Sequence, residues 1–250
     1  MPLDPPDRLP ESALDPFIER ASRARGVIFD FDGVLADSEY VHYRTFAATL
    51  ETVGIHVSRE EHDTIFLGLD DLGGFDLASR RAGRGPMPLE LGQKLIETKS
   101  QLYTSALAEI PLFPGAREAL DEAAARGPFT IASSGRRGDI AAVLHHHGLS
   151  ERAPRFVSVE DVARVKPAPD CFLRALEILR EEIADLRPEE CLVFEDSYRG
   201  VEAAKNAGML CVALCHSFPP EALTAADRII ESWHEWRWPD PSVPPARKRA

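Results

Sequence analysis

Runs of apolar and β-branched residues recur along the chain at 26–31, 129–133, 155–159, 191–194 and 210–214. Unbroken apolar runs of that length suit strands covered on both faces, because a half-exposed strand would alternate with polar residues. Most of the runs are separated by stretches with apolar residues every third or fourth position, which predict helices over 115–125, 139–147, 170–182 and 199–207. Strand and helix in alternation make a parallel sheet with helices on both sides, and such sheets bind ligands at the carboxyl ends of their strands. The expected fold class is therefore α/β, a Rossmann-like parallel sheet flanked by helices.

One interval breaks this rhythm. From about 39 to 110 the pattern predicts no strand, whereas helical periodicity covers 40–53, 60–66 and 89–108. A helical insertion after the first strand, large enough for a small cap domain, is the simplest account. The expected division is an N-terminal leader at 1–24, an α/β core at 25–38 and 111–235, a helical cap at 39–110, and a C-terminal tail at 236–250. The leader begins polar and Pro-rich and turns weakly helical around 13–23; the tail is Pro-rich with a basic end.

Composition narrows the classes. With 44% apolar and 28% charged residues the chain is neither fibrous nor wholly disordered. Lys and Arg total 29 against 41 Asp and Glu, a net charge of -12, which argues against a nucleic-acid surface. An anionic ligand must then be held locally, by a metal ion or a few placed cations. Cys171, Cys191, Cys211 and Cys215 show no metal-binding spacing and read as free thiols of a reducing cytosol. No stretch approaches the ~18 apolar residues of a membrane span, and the first residues are acidic and Pro-rich where a signal peptide would be basic and then apolar. A cytoplasmic chain is expected.

The strand ends carry the chemistry. VIFDFDGVLADS places Asp30 and Asp32 at the end of the first predicted strand, with Gly33 where the chain must turn. Residues two apart on a strand point the same way, so both acids can reach one site, where two like charges need a cation or a shared proton. With a divalent metal, Asp30 can stay an ionised nucleophile while Asp32 exchanges protons with the leaving group and then with water. Taken alone, the pattern also fits a polar strand-to-loop junction with Asp32-Gly33 as a turn.

In order along the chain follow Ser133 and Ser134 in TIASSG, Lys166 in VKPAPD, and Glu195-Asp196 in LVFEDSYRGVEAAKNAG. With these four motifs the chain resembles the haloacid dehalogenase superfamily, whose phosphatases carry D-x-D-G-x-x-x-D-S after the first strand; DFDGVLADS matches from Asp30 to Ser38. The resemblance implies that Asp30 attacks phosphorus and that Asp32 protonates the leaving oxygen and later deprotonates water. Dehalogenases of the superfamily lack the second acid, so its presence points to phosphoryl transfer. It further implies a Mg2+ site made by Asp30, the backbone carbonyl of Asp32, Glu195, Asp196 and waters. Ser133 and the loop at Ser134-Gly135 would cradle the phosphoryl group, and Lys166 would supply a point cation.

Within the superfamily the chain is most similar to the beta-phosphoglucomutase branch, including its sugar-phosphate phosphatases, over roughly 26–232. His42 and Lys99 match cap residues that position substrate in the mutase. After Gly68, where the mutase has an Arg gripping the non-reacting phosphate, this chain has Asp70 and Asp71. Arg136 and Arg137 are candidates for anchoring a second anionic group, or a surface pair near a helix start. The resemblance thus implies a Mg2+-dependent phosphatase of a sugar or sugar-acid phosphate, with a phosphosugar mutase as the alternative. The expected partner is a small phosphorylated molecule, with no nucleic acid or membrane, and the chain is expected to be a monomer.

Overall fold

The computed structural model describes residues 15–239; the expectations for 1–14 and 240–250 lie outside the described residues. Six parallel strands, β1 (Gly26–Phe29), β2 (Phe129–Ala132), β3 (Phe156–Val157), β4 (Cys191–Glu195), β5 (Leu210–Leu214) and β6 (Arg228–Ile230), form one sheet in the order β3-β2-β1-β4-β5-β6. The chain reverses its progress across the sheet between β1 and β4, the switch point at which open α/β sheets bind ligands. Phe29 lies in register with Ile131 on one side and Phe194 on the other. The next residues, Asp30, Ala132-Ser133 and Glu195, therefore emerge together at the carboxyl edge.

The apolar runs predict strands correctly because alternate side chains are buried in different layers. Val27, Phe29, Leu192, Phe194 and Val212 pack into one cluster, while Ile28, Val193, Cys211 and Ala213 pack into a second on the opposite face. A short first helix, α1 (Pro16–Ala21), joins the first layer through buried Phe17 and Ala21, and Phe17 meets Trp236 edge-on at 6.3 Å. Residues 15–24 and 236–239 are thus less peripheral than a leader and tail imply. The sequence pattern does not predict β6, a three-residue strand with only its last residue buried and no apolar run to announce it.

Between β1 and β2 lie α2 (Glu39–Glu51), α3 (Arg59–Glu61) continuing into a π-turn at His62–Phe66, α4 (Asp71–Arg81) and α5 (Leu89–Ser105). Phe46, Leu50, Phe66, Phe75 and Leu95 give these helices a hydrophobic cluster separate from the two sheet layers. The predicted stretches miss α4, whose sequence DLGGFDLASRR is disguised by two glycines. One of them serves packing: a Cβ at Gly74 would lie 3.0 Å from the Phe46 ring, which stacks on Phe75 at 5.1 Å. The two chain crossings to this helical unit run side by side, with the Asp37 N–H donating to Pro111 O at 2.9 Å and the Phe113 N–H to Leu35 O at 2.9 Å.

The remaining helices, α6 (Ala116–Arg126), α7 (Arg137–His146), α8 (Asp170–Leu179) and α9 (Tyr198–Asn206), cover the sheet. Among the described residues no helix is long and apolar enough to cross a membrane. All four cysteines are free thiols, three of them buried.

Candidate active site

Gly33 makes the turn that folds the acids together. Its φ of +79° is in the region glycine favours, and its N–H donates to Ala36 O at 2.9 Å. A side chain there would also run into the Asp196 carboxylate and the Ser217 hydroxyl. The turn leaves Asp30 at the mouth of β1, where its N–H donates to Phe194 O at 2.8 Å, and brings Asp32 back beside it.

Lys166 reaches this point from the loop before α8. Its ammonium donates to Asp30 Oδ1 at 2.7 Å, to Glu195 Oε1 at 2.6 Å and to Ala132 O at 3.3 Å. The other Glu195 oxygen accepts from the N–H groups of Asp196 and Ser197, both at 2.9 Å, and from Ser197 Oγ at 3.0 Å. Asp196 accepts from the Ser217 hydroxyl. Asp30, Glu195 and Asp196, all buried, each present an oxygen within 4.8 Å of the others.

Three buried carboxylates around one ammonium leave an excess of negative charge. Burial pushes the Asp30 carboxyl up to about 8 despite the pull of Lys166, and burial with the Glu195 and Asp30 charges pushes Asp196 well above the carboxylate range. Burial opposes the charge on Lys166, but Asp30 and Glu195 outweigh it and hold its pKa well above the usual value. The ammonium gains from the crowding while Asp30 and Asp196 lose, so a further cation would stabilise the ionised forms of these two. All-oxygen ligands in this number fit a hard divalent ion of the Mg2+ type. The Asp32 carboxylate stands outside this trio.

Asp32 has its own partners. Oδ1 accepts from Ser38 Oγ at 2.6 Å and faces His42 Nε2 at 3.0 Å; Oδ2 accepts from Ser133 Oγ at 3.3 Å. Burial works against its ionisation, yet His42 and Ser38 outweigh burial and lower its pKa. His42 stacks on Tyr103 at 4.6 Å and meets Lys99 Nζ through Nδ1 at 3.2 Å. Lys99 in turn forms an ion pair with Asp71 of α4. Ser133 Oγ also accepts the Gly135 N–H at 2.8 Å, which shapes the loop that includes Ser134.

A cavity of about 380 Å³ lies over these groups, between the carboxyl edge of the sheet and the helical unit. That volume falls in the usual range of small-molecule sites. Asp30, Asp32, Ser133, Ser134, Lys166, Glu195 and Asp196 line its floor, and His42, Lys99 and Arg136 line its walls. Arg137 does not fit the expectation of an anion anchor. Its guanidinium is paired with Asp161 and lies 5.1 Å over the Phe156 ring, away from the cavity lining. Arg136 reaches the cavity but is paired with Glu160 at 3.4 Å.

Sequence reasoning missed Ser217 and Arg199, and it noted Asp71 without its pairing to Lys99. Arg199 lines the cavity, its Nε donating to Lys166 O at 3.3 Å and its side chain lying against Gly68. Ser217 follows the apolar run of β5, and that strand-end position is the one signal for it; nothing local marks Arg199 or the pairing of Asp71.

The chain is similar to known proteins in sequence and in fold. Protein CbbY of Rhodobacter capsulatus is 33% identical over 230 residues, covering 88% of this chain and 94% of that protein. A phosphorylated carbohydrates phosphatase of Thermotoga maritima is 30% identical, covering 73% and 81% respectively. The structure of CbbY from Rhodobacter sphaeroides in complex with xylulose-(1,5)bisphosphate superposes with a TM-score of 0.73 at 26% identity, covering 85% of this chain and 96% of that one. The haloacid dehalogenase-like hydrolase family model matches residues 24–208. The chain belongs to the haloacid dehalogenase-like hydrolases and is a phosphoric monoester hydrolase of that family.

Proposed function

We propose that this protein is a Mg2+-dependent phosphatase of a small phosphorylated metabolite, a sugar or sugar-acid phosphate, working through an aspartyl phosphate on Asp30. The observation that carries the reading is the division of labour between two neighbouring acids. Asp30 sits among Lys166, Glu195 and Asp196, whereas Asp32 is held apart by Ser38, His42 and Ser133. Carboxylates whose environments push their pKa values apart suit nucleophile and proton carrier.

Mg2+ bound by Asp30, Glu195, Asp196 and the Asp32 carbonyl would offset repulsion between the carboxylates and the phosphoryl oxygens. Asp30 attacks phosphorus while Lys166 and the loop of Ser133, Ser134 and Gly135 hold the phosphoryl oxygens. The lowered pKa of Asp32 suits the second half-reaction, in which its carboxylate takes a proton from water. In the first half-reaction, the arriving phosphoryl charge beside Asp32 raises its proton affinity, so it can carry the proton to the leaving oxygen. The helical unit at 39–110 acts as a cap that keeps bulk water out and whose His42 and Lys99 face the leaving group.

Relatives named for phosphorylated carbohydrates and for validoxylamine A 7'-phosphate support a sugar-like leaving group. A mutase would need a cation gripping the non-reacting phosphate while the intermediate turns over, and the loop after Gly68 offers Asp70 and Asp71 instead. The free thiols suit a reducing compartment, and the proposed location is the cytoplasm.

Acid quench during turnover of p-nitrophenyl phosphate with Mg2+ tests the reading. Mass spectrometry should find a phosphoryl adduct on the peptide carrying Asp30, absent in Asp30→Asn. Turnover retained by Asp30→Asn would refute it.

A further inference from the structure

We infer, on the phosphatase reading above, that the substrate carries its phosphoryl group as its only anion, and that Asp71 enforces this by neutralising Lys99. The leaving group is then an uncharged polyol or sugar, not a sugar acid or a bisphosphate.

On the side of the cavity facing the leaving group, Phe46, Phe66, Leu69 and Ile96 supply an apolar wall, and Lys99 is the ammonium or guanidinium that the helices at 39–105 contribute to the lining. Lys99 is only 5% exposed, and its charge is taken up by Asp71 of the same unit. Asp70, next in the lining, spends its side chain accepting the Gly73 N–H at 3.3 Å as the N-cap of α4. His42, the other basic group of the cap that faces the leaving group, is matched by the Asp32 carboxylate at 3.0 Å, so neither it nor Lys99 offers the substrate an unpaired positive charge.

On the core side one cation of the lining is left unmatched. Arg136 is paired with Glu160, and Lys166 belongs to the reaction centre. The unmatched cation is Arg199, which has no carboxylate partner among the described residues; its Nε donates to the neutral Lys166 carbonyl at 3.3 Å, which orients the guanidinium and leaves its charge in place. Against it stand Glu39 and Asp139, both lining the cavity, with carboxyl groups that burial pushes upward. Burial of this kind disfavours any charge that arrives without a partner. A second phosphate or a carboxylate would enter this partly dry cavity beside Glu39 and Asp139 without a free cation of the cap to bind it, and leaving charge unpaired there is costly. Hydroxyl groups fit the same acids as hydrogen-bond donors. This substrate class differs from the xylulose-(1,5)bisphosphate found in complex with CbbY.

Matched pairs of substrates test the inference. Sorbitol 6-phosphate against 6-phosphogluconate, and fructose 6-phosphate against fructose 1,6-bisphosphate, differ in the added anion. In each pair the singly anionic member should have the higher kcat/KM, by about tenfold or more. Asp71→Asn releases the Lys99 ammonium, and the gap should narrow by about tenfold; adding Lys99→Met should reopen it. Since Lys99 also touches His42, both variants alter turnover of every substrate, and the ratio within each pair is the quantity that reads selectivity. Wild-type preference for the doubly anionic member would overturn the inference, as would an unchanged ratio in a folded Asp71→Asn protein. Hydrolysis of p-nitrophenyl phosphate without turnover of any of the four would overturn it too. Failure with p-nitrophenyl phosphate as well would instead bring down the phosphatase reading beneath it.

Discussion

Replacing Gly200 by alanine should destabilise the protein, although glycine-to-alanine changes within helices ordinarily stabilise. Gly200 lies in the first turn of α9, where alanine would be favoured by up to about 1 kcal/mol on propensity. A Cβ at this position, however, would overlap the Glu195 carboxylate. That carboxylate is fully buried and accepts from Lys166, two backbone N–H groups and Ser197 Oγ, so it has nowhere to swing without losing partners. Losing two charge-assisted bonds at about 1.5–3 kcal/mol each, less the helix gain, gives a net loss of about 2–5 kcal/mol. Gly138 is the internal control: it is exposed in the first turn of α7, and a Cβ there meets nothing within 4 Å. Gly138→Ala should gain about 0.5–1 kcal/mol. Urea unfolding with chelator present measures both, and a Mg2+ titration of p-nitrophenyl phosphate hydrolysis should show weaker metal use in Gly200→Ala alone. If Gly200→Ala proved as stable as wild type with an unchanged half-saturating Mg2+ concentration, the close packing of α9 on Glu195 would be refuted.

Chelation should silence the enzyme and Mg2+ restore it, with Ca2+ a poor substitute because it favours a larger, looser coordination shell; full activity in EDTA would exclude the metal role of Asp30, Glu195 and Asp196. Asp32→Asn should lower turnover roughly 10²- to 10⁴-fold while binding of substrate persists, as measured by kcat and KM for a poor leaving group. Burial of His62 against Phe46 lowers its pKa below 6.5, so its neutral form contributes stability above that value that is lost as pH falls through the folded pKa. In His62→Phe the fall of unfolding free energy between about pH 6.5 and 5 should be shallower; an identical slope would exclude this role. Arg137→Ala should leave every substrate's KM within about twofold, since its guanidinium is engaged by Asp161 outside the cavity lining; a selective rise in KM for anionic substrates would contradict that placement.

Much of the architecture is legible in the sequence because it is written in neighbouring residues. A strand buried on both faces must be apolar throughout, so β1, β2, β4 and β5 announce themselves. A parallel sheet delivers the residue after each such run to one edge, and Asp30, Ser133 and Glu195-Asp196 follow those runs directly. Where the local signal is weak, the pattern fails. The glycines of α4 lower its helical propensity, and only contact with Phe46 explains Gly74; the half-buried edge strand β6 has no apolar run. What the tertiary structure alone decided is which charges meet. Asp71 and Lys99 lie on different helices, Ser217 reaches Asp196 from another strand end, and Arg137 turns outward while its neighbour Arg136 turns inward. No periodicity encodes such pairs, because each depends on how helices distant along the chain pack across one cavity, and an ion pair's effect on a ligand depends on that distance and burial rather than on residue type.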